Sequence, residues 1–172
     1  PLFTPKGTLV RDLIIEKIQG IQKRFGYQKV TIPHITKADL YKTSGHYEKY
    51  GDDLFKVYGR GETEFCMKPM NCPHHTQIYN SQQRSYRDLP LRYVETTTVY
   101  RDEQAGELMG LSRVRAISQD DGHIFCRTDQ IEEEVKNIIS VIKEFYTSLG
   151  MLEEGKYWVS LSVRDPQNLD KY

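Results

Sequence analysis

The chain has 172 residues, with 24 Lys and Arg against 24 Asp and Glu, a formal net charge of zero. Hydrophobic residues make up 38% of it, enough for a core and too many for a disordered tail, and no run of about 18 apolar residues exists to span a bilayer. The charge balance argues against a domain that holds nucleic acid through its overall field, so any such contact must come from a local patch.

The three cysteines, Cys66, Cys72 and Cys126, are odd in number, widely spaced and without a C-x-x-C. That speaks against a disulfide framework and for a reducing compartment. Residues 1–9 carry neither a charged n-region nor an apolar h-region. Because the chain opens on Pro1 and a strand-like run at 157–163 comes shortly before its end, one unit cut from a longer polypeptide is expected.

Apolar residues at Val10, Ile14, Ile18, Ile21 and Phe25 recur at spacings of three and four, predicting a helix over 8–24 capped by Thr8 and stopped by Gly26. A strand follows at 27–32, closed by Pro33. A short helix over 37–43 leads into a glycine-bounded loop over 45–51. Segments 54–58 and 63–68 read as a hairpin around Gly59 and Gly61. Asn71 is expected to cap a helix over 72–82. Two extended stretches follow, 91–102 and 113–126, joined by a loop over 104–112. Last come a helix over 129–149, with Ile131, Val135, Ile138, Ile142, Phe145 and Leu149 on one stripe, and the strand at 157–163. Consecutive strands with helices between them predict an α+β fold with a mainly antiparallel sheet flanked by helices.

Period two is the informative pattern. In an extended 113–126, Arg113, Arg115, Ile117, Gln119, Asp121 and His123 project from one face. Glu95, Thr97, Val99, Arg101 and Glu103 share a face of the preceding strand. Antiparallel pairing of the two builds one charged floor, which is either solvated or the bottom of a binding site. Arginines beside carboxylates suit a polyphosphate substrate, since Arg meets phosphate oxygens bidentately and acids hold Mg²⁺ or accept from an amino group. Cys72 and His123 are residue types that bind zinc, but 51 residues apart and with no local pair they are weak evidence for a metal site, a buried structural cysteine being the commoner case. His34 and His46 read as surface residues, and Cys66 and Cys126 as small core hydrophobes.

The runs Phe65-Cys66-Met67-Lys68-Pro69-Met70-Asn71-Cys72-Pro73-His74-His75, Tyr100-Arg101-Asp102-Glu103 and Gln119-Asp120-Asp121-Gly122-His123-Ile124-Phe125-Cys126 resemble those of the threonyl-tRNA synthetases, within class II of the aminoacyl-tRNA synthetases. Ser44-Gly45-His46-Tyr47, the segment 85–92 and Arg113-Val114-Arg115 add to the resemblance, which covers essentially the whole chain. It implies part of a class II catalytic core, carrying motifs 1 and 2. Motif 3, the editing domain and the anticodon-binding domain would lie outside residues 1–172.

The resemblance also implies roles. Arg101 would be the catalytic residue, on the α-phosphate of ATP and the amino-acid carboxylate. Glu103 would take the adenine amino group, Arg113 the γ-phosphate, and Ile117 would lie against the adenine. Met70, Gln119 and Asp121 would line the threonine pocket, with Asp121 near the ammonium. Cys72 and His123 would be two of three protein ligands to Zn²⁺, the third lying beyond this chain, and Mg²⁺ would come with ATP. The partners implied are ATP, L-threonine, tRNA(Thr) and a second copy of the protein, joined through the motif 1 helix and strand at 9–33. The place implied is the cytoplasm or, for an organellar form, the mitochondrial matrix. Two positions depart from the family pattern: Ile117 stands where an aromatic residue is usual, and His74 where a glycine is common. Other readings are a synthetase-like paralogue that binds without catalysis and a ligase for another amino acid, the prolyl and seryl enzymes being the nearest neighbours. Intact Arg101, Glu103 and Arg113 oppose the first, and the Cys72–His123 pair opposes the second.

Overall fold

A computed structural model describes residues 1–163 and Gln167. Helix α1 runs Pro5–Arg24, a turn earlier than the periodicity indicates, because the Thr4 hydroxyl accepts from the Gly7 amide and Pro5 sits at the first helical position, where a missing N–H costs nothing. Gly26, at φ 77°, closes it. Strand β1 is only Gln28–Lys29. A small antiparallel sheet then forms from β2 (Ile35–Lys37), β3 (Lys56–Tyr58) and β4 (Glu64–Met67), in the order β2-β4-β3. The expected hairpin is β3–β4, with Val57 opposite Phe65.

Between β2 and β3 lie α2 (Ala38–Thr43) and α3 (His46–Tyr50). The latter replaces the expected open loop, since Gly45 at φ 74° lets the chain turn straight into another helical turn. Ala38, Tyr41, Leu54 and Cys66 form a buried cluster beneath this layer.

Helix α4 is Cys72–Asn80. Asn71 precedes it in αR conformation and makes no side-chain cap, because its side-chain amide is engaged elsewhere. The second sheet has the order β1-β5-β6, from β5 (Leu91–Tyr100) and β6 (Ala116–Phe125). The long β5–β6 pair is antiparallel, while β1 runs parallel to β5 with Gln28 opposite Tyr93. Two small sheets thus stand where one was expected, both mostly antiparallel. They are joined at Lys68, whose amide donates to the His34 carbonyl (2.9 Å) and whose carbonyl accepts from the Tyr100 amide (2.9 Å).

Helix α5 spans Ile131–Ser148. With α1 it covers the back of the β5–β6 ribbon, where Arg92 forks onto Glu134 (2.6 and 2.5 Å), Gln22 donates to Asp120 and Gln19 to Thr96 (3.3 Å). Ile18, Ile21 and Val141 make the buried contact between the two helices, with Phe25, Tyr27 and Phe145 around it. The rest of both apolar stripes is exposed, including Val10, Ile14, Ile131, Val135, Ile138, Ile142 and Leu149. All of these but Leu149 line an open cavity of about 930 Å³ between α1, α5 and the sheet. Cys126 lies half-buried on this cavity rather than in a core, whereas Cys66 is fully buried.

Residues 157–163 form no strand and are exposed, Trp158 among them. Their alternation is that of a strand, but no neighbouring strand among the described residues supplies a ladder, and an unpaired strand is not stable in water.

Candidate functional site

The β5–β6 register sets the floor. Tyr93 lies opposite His123, Glu95 opposite Asp121, Thr97 opposite Gln119 and Val99 opposite Ile117. An Arg101 amide to Arg115 carbonyl bond (3.0 Å) carries the ladder past the end of β5. Gly122 is needed in the middle of β6, since a Cβ there would meet the Tyr93 carbonyl oxygen at 2.8 Å. The polar face is not open to solvent throughout: α4 and the end of β4 cover one half of it. Tyr79 stacks on Phe125 at 4.2 Å, Asn71 Nδ2 donates to Asp121 Oδ2 (2.8 Å), and the Lys68 ammonium donates to Thr97 Oγ1 (2.8 Å) and lies 3.5 Å from Glu95. Burial pulls the Lys68 ammonium down from its ordinary range, against the attraction of Glu95. Glu95 also accepts from the Ile32 amide (3.2 Å), which ties the segment after β1 to the floor.

Arg101 marks the open half. It is half-buried and makes no ion pair among the described residues, and its Nε is buried without a hydrogen-bond partner. Its guanidinium lies 5.4 Å from the Tyr50 ring centre, with Nη2 3.9 Å from the Met70 sulfur. An arginine packed on an aromatic face and a thioether, with donors unspent, is disposed to take an anion.

Arg113 and Glu103 are close by but paired to each other. Arg113 Nε donates to Glu103 Oε2 (2.8 Å) and Arg113 Nη2 to Glu107 (2.9 Å). Glu103 is buried while Arg113 is exposed. Arg115 donates to the Glu103 carbonyl oxygen (2.9 Å), so the loop between β5 and β6 is closed by arginines that also face the floor. Ile117 and Gln119 are half-buried on the floor between Arg101 and Asp121.

At the covered end, Cys72 is the first residue of α4 and half-buried. Burial, then the nearby Asp121 carboxylate, push its thiol up, so without a cation beside it the group stays protonated. His75, one turn along α4 and fully buried, meets His123 with the two Nδ1 atoms 2.8 Å apart. Burial first, and the adjoining His123 second, push His75 down to about 4. His74 points the other way, its Nε2 3.1 Å from Thr36 Oγ1 and its ring edge-on to Tyr41. It pins α4 to the smaller sheet, which gives this unusual residue a structural role. His34 and His46 are at the surface, bonded to Tyr100 and Ser44. Among the described residues no three His, Cys, Asp or Glu side chains are grouped to hold a metal ion. Cys72 and His123 fit zinc by donor chemistry, as a soft thiol and an imidazole, and fit it as a partial set.

Four contacts of the site were not legible from the sequence. Tyr50 over Arg101, Asn71 on Asp121, Lys68 on Thr97 and His75 on His123 all join residues from different elements. The only local signal was their place in or beside the motif runs, and Asn71 in particular reads as a helix cap.

The chain belongs to the family described as tRNA synthetase class II core domain (G, H, P, S and T), which it matches over residues 55–170. Within it the chain is similar to threonine–tRNA ligases. It is 49% identical to that of Cytophaga hutchinsonii and 50% identical to that of Flavobacterium psychrophilum, over 100% of this chain and 26% of each relative. It therefore spans about a quarter of the length of the curated relatives it matches. Among solved structures, one of threonyl-tRNA synthetase from Cryptosporidium parvum, described as its RNA binding domain, superposes with a TM-score of 0.82 at 37% identity. It covers 86% of this chain and 36% of that one. Prolyl-tRNA synthetase from Giardia lamblia, in complex with prolyl-adenylate, shares the fold at TM-score 0.77 and 22% identity, over 86% of this chain and 31% of that one.

Proposed function

We propose that this chain is the ATP- and amino-acid-binding part of a threonine–tRNA ligase, acting through a threonyl-adenylate. The observation that carries the reading is Arg101, a half-buried cation without a carboxylate partner among the described residues. It stands on the same floor as Asp121 and His123.

Adenylation is an in-line attack of a carboxylate on the α-phosphorus, and it needs positioning and charge neutralisation rather than a covalent nucleophile. Arg101 holds the threonine carboxylate and the α-phosphate and offsets the charge that builds up between them. ATP is taken as its Mg²⁺ complex. Glu103 accepts from the adenine amino group, Ile117 lies against the ring, and Arg113 leaves its carboxylate partners for the γ-phosphate. Asp121, held by Asn71, takes the ammonium, with Gln119 and Met70 lining the pocket. Cys72 and His123 hold zinc together with a third ligand from outside this chain. When bound, that metal supplies a Lewis-acid position for the amino and hydroxyl groups of the substrate. Charging of tRNA(Thr) belongs to the full-length protein. A homodimer through the α1 region is supported by the exposed Leu9, Val10 and Leu13, and a reducing compartment such as the cytoplasm by the three free cysteines.

The test is exchange of labelled pyrophosphate into ATP by the full-length protein with single amino acids. Exchange is expected with threonine and, more weakly, with serine, which keeps the hydroxyl. Valine is expected to support about 10⁴-fold less, because a site built for a hydroxyl rejects the isostere lacking it. No exchange with any amino acid would leave the non-catalytic paralogue, and exchange with proline instead of threonine would overturn the assignment of substrate.

A further inference from the structure

His75 is a fully buried residue of the site that the proposed function does not use. Its ring is edge-on to that of His123, with centres 4.8 Å apart and planes at 85°. The two Nδ1 atoms lie 2.8 Å apart. At that separation one nitrogen must carry the proton and the other accept it, so the contact links the tautomers of both rings. If His123 is to offer Nε2 to a metal, its own proton must sit on Nδ1. That proton then points at His75 Nδ1, which must be bare, and the proton of His75 must sit on Nε2. Whichever ring carries the shared proton, His75 Nε2 is buried with no hydrogen-bond partner among the described residues, so the direction of the contact is set by what His123 Nε2 must do.

We propose that His75 is the positioning residue for His123, accepting its Nδ1 proton so that the His123 ring is held with Nε2 as its metal-binding nitrogen. The inference rests on the reading of Cys72 and His123 as zinc ligands. Ligand histidines commonly donate their second ring nitrogen to a carboxylate, carbonyl or water. Here a second imidazole takes that part, delivered by α4, the helix that also begins with Cys72. The same helix thus provides one metal-binding side chain and, one turn on, the acceptor that orients the other. Of the neighbouring side chains, Asn71 bonds Asp121 through Nδ2 and His74 meets Thr36 through Nε2.

The test compares zinc affinity, by competition with a chromogenic chelator, in the full-length protein and in its His75→Phe and His75→Asn variants. Phenylalanine keeps the bulk without an acceptor, whereas asparagine places an amide oxygen near the position of Nδ1. The expected result is a loss of 10–100-fold in affinity for His75→Phe, the usual range for removing such a partner, and recovery to within about threefold for His75→Asn. The nitrogen chemical shifts of His123 in the zinc-loaded wild type give a second measure that needs no variant to fold, and should report the proton on Nδ1. Unchanged affinity in His75→Phe, equal weakening in both variants, or a His123 proton on Nε2 each overturns the proposal. A wild-type protein that takes up no zinc at all overturns the metal reading itself, and the role of His75 with it.

Discussion

At the scale of single residues, the site depends on which charges are already spent. Arg113 is engaged by Glu103 and Glu107, and Arg92 by Glu134. Arg101 faces an aromatic ring and a sulfur instead. Leaving one guanidinium uncompensated beside polar floor residues is costly unless an anion arrives to meet it. Arg101→Ala in the full-length protein should therefore lower threonine-dependent pyrophosphate exchange about 100–1,000-fold, the scale for losing one donor to transition-state charge. Lysine should restore little of it, because a point charge does not reproduce a planar fork. Near-normal exchange in Arg101→Ala would place the phosphates elsewhere. Arg101 was legible because a period of two alone assigns it to a strand face with Glu95 and Thr97. Tyr50 was not, since it comes from α3, a five-residue helix that no apolar periodicity announces.

At the scale of elements, α4 joins the two sheets, and its two adjacent histidines serve opposite sides of it. His75 faces the floor and His74 faces β2. Burial holds His74 down to about 4, with the Lys68 charge a lesser cause. An unfolded histidine binds its proton near pH 6.5, so between about 6.5 and 4 the unfolded chain binds more protons than the folded one. Stability contributed by neutral His74 is thus present above pH 6.5 and lost as the pH falls towards 4, by an amount on the order of 3 kcal/mol. His74→Gln, which can keep the bond to Thr36 but does not titrate, should show a flatter decline of the urea midpoint between pH 6.5 and 4.5. Parallel declines in the two proteins would show that His74 does not set the acid sensitivity. The existence of α4 was readable from Cys72, Pro73 and the following residues. Its docking was not, because adjacent histidines on a helix point about 100° apart and nothing local says what each will meet.

At the scale of the whole molecule, the two faces of the β5–β6 ribbon differ in how far they are finished. The front is a polar floor half covered by α4, while the back carries α1 and α5 over an open apolar cavity of about 930 Å³. The sequence pattern identified both helices and their stripes correctly, yet stripes report only that a face seeks cover. They do not say that Ile18, Ile21 and Val141 would meet while Val10, Ile14 and Ile138 would stay exposed. The same holds for 157–163, where alternation alone does not make a strand without a partner. By contrast, which residues share the floor followed from alternation and antiparallel pairing, Arg101, Gln119, Asp121 and His123 among them, while their register (Glu95 opposite Asp121) came only with the structure.

That alignment is the central claim: one floor, with phosphate at the Arg101 end and a metal with the amino acid at the Cys72–His123 end. A crystal structure of the full-length protein with a non-hydrolysable threonyl-adenylate analogue, recorded at the zinc absorption edge, tests it most directly. The expected result is an anomalous peak bonded to Cys72 Sγ at about 2.3 Å and to His123 Nε2 at about 2.0–2.1 Å, with the phosphate mimic on Arg101. An analogue bound away from Arg101, or a floor with no metal at Cys72 and His123, would contradict it.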